Sequence, residues 1–223
     1  MSGPVYPAAA APEVSEEEAG RLLFAAPCQF VAGAADESAI PVDTLPEIAF
    51  AGRSNVGKSS LVNALTGQNA LARVSRTPGR TRQINFFDLG GKLMLVDLPG
   101  YGFAEAPKNE VARWTTLIER YLKGRASLRR VMLLLDARFG IKETDQPVLR
   151  LLDKAAVSYQ VVLTKSDAVK PAMLDAMLPK LAATLATHPA AHPAIHITSA
   201  REGLGIAALR GSIGKLAAAQ TPR

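Results

Sequence analysis

The chain holds a single cysteine, Cys28, so an internal disulfide and a cysteine-based zinc site are both excluded, and a reducing, cytoplasmic compartment is expected. No run of 18 or more apolar residues occurs, which excludes a helical membrane span. Aromatic residues are only 5% of the chain, and no aromatic-rich basic ribbon offers a stacking platform for bases. The alanines Ala8–Ala11 have no basic stretch before them, and Glu16, Glu17 and Glu18 follow, so no secretory leader is read there. What is present is globular: 223 residues, 48% hydrophobic and 21% charged, enough for one domain with extensions or two small ones.

The formal net charge of +6 hides an asymmetry. Residues 1–46 carry one basic residue, Arg21, against seven acidic ones, a net of −6; the other 25 basic and 13 acidic residues give the rest +12. A body this basic suits a polyanionic partner, although scattered surface lysines and arginines give the same total.

Residues 1–20 are rich in Ala, Pro and Glu without apolar periodicity and read as a disordered tail. Residues 21–45 read as an extension, with a short helix around Leu22–Phe24 and an edge strand around Gln29–Ala32. Residues 46–219 read as the main domain and 220–223 as a short tail. From Pro46 onward, apolar runs alternate with amphipathic helices. The runs are Ile48–Ala51, Ile84–Leu89, Leu93–Val96, Val131–Leu135, Val161–Leu163 and Ala194–Ile197. Runs of this length suit strands buried on both faces of a mostly parallel sheet. Three apolar stripes mark helices: Trp114, Leu117, Ile118, Tyr121 and Leu122; Val148, Leu151, Leu152 and Ala155; and Ile206, Leu209, Ile213 and Leu216. The expected fold is α/β, six to seven strands with helices on both faces.

Gly52-Arg53-Ser54-Asn55-Val56-Gly57-Lys58-Ser59 fits G-x-x-x-x-G-K-[ST], between the strand Ile48–Ala51 and a helix expected at Ser60–Leu65. Glycines let backbone N–H groups turn inward around phosphate oxygens, and the helix N-terminus adds partial positive charge. Lys58 supplies a point charge to the β- and γ-phosphates, and Ser59 a hydroxyl for Mg²⁺. Three further pieces follow in order. Asp97-Leu98-Pro99-Gly100 closes a strand with a carboxylate able to hold Mg²⁺ through water, and with a glycine N–H open to a γ-phosphate. Thr164-Lys165-Ser166-Asp167 closes another. The Asp167 carboxylate can accept from N1–H and the 2-amino group of guanine, and Lys165 can lay its stem over the base. Ser199-Ala200 closes a third, where a backbone N–H could reach guanine O6. Each piece alone is weak. Together, at the C-terminal ends of successive strands where open α/β sheets bind ligands, they describe a guanine-nucleotide site.

These segments, with Pro46–Leu61, Arg76-Thr77-Pro78-Gly79-Arg80-Thr81 and Asp97–Gly102, resemble the EngB/YsxC/YihA family of bacterial GTPases, within the TrmE-Era-EngA-EngB-septin-like class. The resemblance covers about residues 28–215. It implies a Ras-like P-loop fold, GTP hydrolysis to GDP with Mg²⁺, and a role in large ribosomal subunit assembly and in normal septation and cell division. It also implies the large subunit and its rRNA as partners, no DNA or membrane partner, and a monomer. Nucleotide contacts then fall on Gly52–Ser59, on Gly79, Arg80, Thr81, Arg82 and Gln83, on Asp97–Gly100, on Thr164–Asp167, and on Thr198, Ser199 and Ala200. The Mg²⁺ ligands fall on Ser59 and Thr81, and Asn55 matches a position at which related GTPases hold K⁺. Lys58, Thr81 and Asn55 are the catalytic candidates. An rRNA-binding module that uses GTP only as an ordering ligand is the alternative.

Two departures from the Ras pattern stand out. Tyr101 follows DLPG where Ras-type enzymes carry a water-orienting glutamine, so intrinsic hydrolysis should be slow. Thr164 replaces the commoner asparagine and removes an amide that braces the loop, so affinity should be modest. Arg73, Arg76, Arg80 and Arg82 form a basic run that suits rRNA phosphates, GTP or an acidic partner as well as it suits a solvated loop. Arg113, Arg120, Lys123, Arg125, Arg129 and Arg130 read better as a solvated helix face. His188, His192 and His196 are spaced by four, but Pro189 and Pro193 break any helix there, so a metal face is not expected and His196 reads as a core histidine.

Overall fold

A computed structural model describes residues 15–42, 44–68, 83–102 and 108–219, with the side chains of residues 108–114 outside that description. Its elements in chain order are α1 (Glu16–Phe24), β1 (Cys28–Ala34), β2 (Glu47–Gly52), α2 (Lys58–Thr66), β3 (Ile84–Leu89), β4 (Leu93–Asp97), α3 (Lys108–Leu122), β5 (Leu128–Asp136), α4 (Gln146–Lys154), β6 (Tyr159–Thr164), α5 (Pro171–Leu185), β7 (His196–Ile197) and α6 (Ile206–Ala218).

Seven strands form one sheet in the order β1-β3-β4-β2-β5-β6-β7. Strand β3 is antiparallel to both its neighbours, β1 and β4, and the remaining pairs are parallel. The all-apolar runs are central: every residue of β2, β4 and β6 is buried, as burial on both faces requires. One face is covered by α3, α4 and α5 through Leu117, Ile118 and Tyr121, Leu149 and Leu152, and Leu181 and Leu185. The other is covered by α1, α2 and α6 through Phe24, Leu61 and Leu65, and Leu209 and Ile213. The stripe on α4 is turned from the expected one. Leu149 and Leu152 are fully buried, Val148 and Leu151 only partly, and Ala155 lies past the helix end.

The N-terminal region departs most from expectation. Residues 16–20, expected inside a disordered tail, are helical. Ser15 caps α1 by accepting from Glu18 N at 3.2 Å, and three glutamates sit in the first turn, where the helix dipole favours them. Helix α1 then lies backbone-to-backbone on α6. A Cβ on Gly20 would come within 2.4 Å of the Arg210 carbonyl carbon, so only glycine permits this approach. Arg210 in turn donates to the Leu65 and Ala64 carbonyls at the end of α2, and Lys215 Nζ meets Glu16 Oε1 at 2.6 Å. The extension therefore contributes both an edge strand and a helix to the same body.

The second basic cluster is not simply a solvated face. Arg125 reaches under the sheet to Glu47, which is 2% exposed, with NH2–Oε1 at 2.5 Å. Tyr121 donates to the other oxygen at 2.9 Å. Burial, then the Glu47 charge, push the Tyr121 hydroxyl well above the ordinary tyrosine range. Arg120 pairs with Glu37 and Arg130 donates to Gln160 at 2.9 Å. In the histidine series, His188 Nδ1 lies 2.5 Å from Asp153 Oδ2, while His196 is half-buried rather than in the core.

Arg125→Met should strand the Glu47 carboxylate in the interior and cost ~3–5 kcal/mol in urea denaturation. Adding Glu47→Gln should recover part of that loss. Equal stability of wild type and the single variant would show the pair to be energetically idle.

Candidate nucleotide-binding site

Strand β2 ends at Gly52 and α2 begins at Lys58, and the intervening turn needs two left-handed residues, Asn55 at φ 60° and Gly57 at φ 104°. Gly57 is the N-cap of α2 and no side chain caps it. The first N–H groups of a nine-residue helix therefore face the cleft without a protein acceptor from the cap, an arrangement that favours an anion. The β2–β4 register brings Phe50 beside Asp97, so the Asp97 carboxylate emerges next to the turn and pairs with Lys58 Nζ. The next residues continue alongside: Leu98 N donates to Phe50 O at 3.0 Å, and a Cβ on Gly100 would lie 3.3 Å from Ser54 Cα. A cleft of about 530 Å³ results. Its walls are Arg53–Asn55, Gly57–Ser60, Gln83, Asn85, Asp97–Gly100 and Lys165.

A smaller cavity of about 260 Å³ adjoins it, sharing Gly57, Ser60 and Lys165, and is walled by Thr164, Asp167, Ala168, Thr198, Ala200, Arg138 and Arg201. The ends of β6 and β7 set its polar edge. The buried Ser199 hydroxyl donates to Asp167 Oδ1 at 2.6 Å, and Ser166 N donates to Thr198 O at 3.1 Å. One Asp167 oxygen is thereby steadied while the other has only a distant Arg201 guanidinium at 3.9 Å, leaving acceptor capacity toward the cavity.

Three contacts join the two cavities. The Thr164 hydroxyl, buried, donates to Val56 O at 2.6 Å and so ties the base loop to the phosphate turn. The threonine that stands in place of the asparagine thus still braces the loop, through its hydroxyl. Lys165, at φ 57°, carries its Nζ to Asn55 O at 2.7 Å and to Asp136 Oδ2 at 3.0 Å. Its stem thus crosses the boundary between the cavities. Arg138 grips Asp136 through its main-chain N, Nε and NH2 at 2.7–3.0 Å. Burial alone would raise the Asp136 carboxyl, but the Arg138 and Lys165 hydrogen bonds outweigh it and hold it well below the usual carboxylate range.

Of the residues expected in the site, Gly52–Ser59, Gln83, Asp97–Gly100, Thr164–Asp167 and Thr198–Ala200 are gathered at this one end of the sheet. Gly79, Arg80, Thr81 and Arg82 lie outside the described residues, as do Arg73 and Arg76. Sequence reasoning missed Asn85 and Asp136. Asp136 carries the same signal that flagged Asp97, a lone carboxylate closing a buried run. Tyr101 takes no part in lining either cavity.

Among the described residues, no group of three or more His, Cys, Asp and Glu could hold a metal ion by itself. The Ser59 hydroxyl and the Asp97 carboxylate do share one cleft. Oxygen donors of this kind, few and beside a phosphate site, fit Mg²⁺, which takes its remaining ligands from phosphates and water.

If Thr164 braces both cavities, Thr164→Val should leave the Val56 carbonyl unsatisfied and weaken GDP and GTP together, by an amount corresponding to ~1–3 kcal/mol, in fluorescence titrations. A loss confined to one nucleotide would contradict the brace.

Comparison with known proteins agrees with this geometry. Residues 47–165 match the family model described as a 50S ribosome-binding GTPase. The chain is 55% identical over 205 residues to a probable GTP-binding protein EngB of Rhodospirillum rubrum, covering 90% of this chain and 89% of that one. It is 56% identical over 201 residues to the corresponding protein of Bradyrhizobium diazoefficiens, covering 89% and 93%. The crystal structure of a probable GTP-binding protein EngB superposes with a TM-score of 0.61 at 26% identity, covering 77% of this chain and 98% of that chain. Era in complex with MgGDPNP and a segment of 16S ribosomal RNA shares the fold, with a TM-score of 0.58 at 22% identity over 80% of this chain and 59% of that one. More than half its sequence is shared with such relatives along nine-tenths of its length, and the chain belongs to the EngB family of GTP-binding proteins and is a GTPase.

Proposed function

We propose that this GTPase is a nucleotide-operated switch in assembly of the large ribosomal subunit, acting in the cytoplasm, and that normal septation and cell division depend on it. The nucleotide half of the reading is carried by one observation: the Asp167 carboxylate, steadied by Ser199, faces a cavity continuous with an uncapped helix N-terminus. The ribosomal half is supported by the description of the matched family and by the +12 body, which suits rRNA phosphates.

In this reading guanine lies against Asp167 and the Lys165 stem, and the phosphates lie along Gly52–Ser59. Lys58 exchanges its Asp97 partner for the β- and γ-phosphates, which frees the Asp97 carboxylate for the metal's water shell. Ser59 and Thr81 would hold the Mg²⁺. That ion, when bound, neutralises charge developing on the phosphate oxygens. Gly100 offers its N–H to the γ-phosphate. Thr81 and the DLPG loop thus share the γ-phosphate of a triphosphate and lose that common partner on a diphosphate, which gives the two states different surfaces. Asn55 is exposed on the cleft and is the candidate for a K⁺ beside the β- and γ-phosphates. Gly79, Arg80, Arg82 and Gln83 complete the phosphate side, and Thr198 and Ala200 the base side.

Sedimentation with purified large subunits tests the switch. Co-migration in one nucleotide state is expected, and binding indifferent to nucleotide would refute it. Asp167→Asn should exchange guanine for xanthine preference, by up to ~10⁴-fold, because the new amide can donate to the xanthine 2-oxygen. A wild type that binds ATP as well as GTP would remove the base assignment. Ser59→Ala should weaken GTP more than GDP in Mg²⁺, since a cation held there would offset the larger charge of the triphosphate. Single-turnover hydrolysis should run faster in K⁺ than in Na⁺, with the difference lost in Asn55→Ala; identical rates in both salts would dismiss the K⁺ role.

A further inference from the structure

Tyr101 immediately follows the DLPG loop, yet its ring turns away from the cleft. The ring is 7% exposed and its hydroxyl donates to Asp145 Oδ1 at 2.8 Å. Asp145 sits in the turn before α4 and is fully buried. Its second oxygen accepts from Lys142 N at 2.7 Å. Arg53, from the phosphate turn, completes the cluster, with Nε 3.6 Å from Asp145 Oδ1 and NH2 donating to Gly140 O at 3.3 Å.

The main chain of Tyr101 is fixed as firmly as its side chain. Tyr101 N donates to Gly52 O at 3.3 Å, and Ser54 N donates to Tyr101 O at 3.0 Å. Arg53 and Tyr101 thus form a parallel bridge that extends the β2–β4 ladder past the ends of both strands. Gly100 is the residue between that bridge and Pro99, and it packs against Ser54 at a distance that barely admits a Cβ.

We propose that Tyr101, Arg53 and Asp145 form a positioning unit for the γ-phosphate contact. The Tyr101–Asp145 hydrogen bond locks the DLPG loop against the phosphate turn, and so fixes the direction of the Gly100 N–H before a triphosphate arrives. This deepens the proposed nucleotide reading and depends on it. Glycine has the widest conformational freedom of any residue, so Gly100 holds one orientation only if its neighbour is anchored. A donor aimed in advance costs no ordering at the moment of binding, and is worth most where charge is greatest. A buried carboxylate is a strong anchor, because it cannot give up its donors without a large desolvation penalty. Tyr101 therefore contributes no group to the chemistry. It holds the group that senses whether the third phosphate is present.

The unit predicts discrimination rather than overall affinity, because GDP has no γ-phosphate to meet Gly100. Tyr101→Phe keeps the ring and removes the bond; Asp145→Ser removes the carboxylate and keeps the tyrosine. Each should lower the affinity for a non-hydrolysable GTP analogue relative to GDP by about tenfold, with GDP affinity unchanged. Asp145→Asn keeps an acceptor for the hydroxyl and should retain most of the wild-type ratio. Titration of the full chain with fluorescent GDP and the analogue reads this, with thermal unfolding of each variant alongside. A proportional loss of both nucleotides in Tyr101→Phe and Asp145→Ser, or no loss of the analogue in either, would overturn the unit. The parent reading fails separately, in the wild-type arm, if neither guanine nucleotide binds.

Discussion

A carboxylate carried into the interior by a strand or a turn must find a cation or a full set of donors, or the chain would not fold with it charged. Among the described residues, four acidic side chains are buried under that constraint, and much of the polar architecture follows. Asp97 at the end of β4 takes Lys58, Asp136 at the end of β5 takes Arg138 and Lys165, and Glu47 at the start of β2 takes Arg125 and Tyr121. Asp145 takes Tyr101 and Arg53. Three of the four lie at the cleft end of the sheet, and Glu47 holds the opposite end. Satisfying each carboxylate draws a loop from a different part of the sequence to the strand ends.

The consequence is that the two halves of the cleft are one mechanical object. The phosphate turn is bound to the base loop through Thr164 and Lys165, and to the DLPG loop through the Arg53–Tyr101 bridge. The apolar packing keeps this in register. Strands β4, β2, β5 and β6 are parallel neighbours, so their C-terminal ends emerge side by side. A switch needs such a frame, because a ligand moves an equilibrium only by contacts that differ between states. In the proposed switch, loops that respond to a third phosphate would do so against this frame.

The second face shows how the acidic N-terminal region is accommodated. Helix α1 bears on α6 through Gly20, Gly211 and Gly214, where backbones approach too closely for a Cβ at Gly20. Arg210 passes beneath it to the C-terminal carbonyls of α2, the helix whose other end lines the cleft. The glutamates of the first turn complement the helix dipole, and Glu16 meets Lys215. The charge asymmetry along the chain is thus partly spent within the fold, not wholly presented to a partner.

The sequence alone determined the alternation of strands and helices from Pro46 onward, because buried strands and one-sided helices have periods that no packing can disguise. It also marked out the proposed nucleotide site, since a phosphate turn, a strand-end carboxylate and a base loop are each local, with their order along the chain as the signature. It misjudged features whose cause lies far away along the chain. The glutamate-rich start of α1 lacks a strong apolar stripe and is held by α6, nearly two hundred residues on. Thr164 differed from a pattern, and only the nearness of the Val56 carbonyl shows that its hydroxyl makes the brace. Arg125 read as one charge on a helix face until Glu47 was seen beneath it. Tyr101 read as a missing glutamine, and only the tertiary structure supplied Asp145 and gave its hydroxyl a role. In each case the deciding partner is brought close by the sheet rather than by the chain, and the penalty for burying an unpaired polar group selects which partner that is.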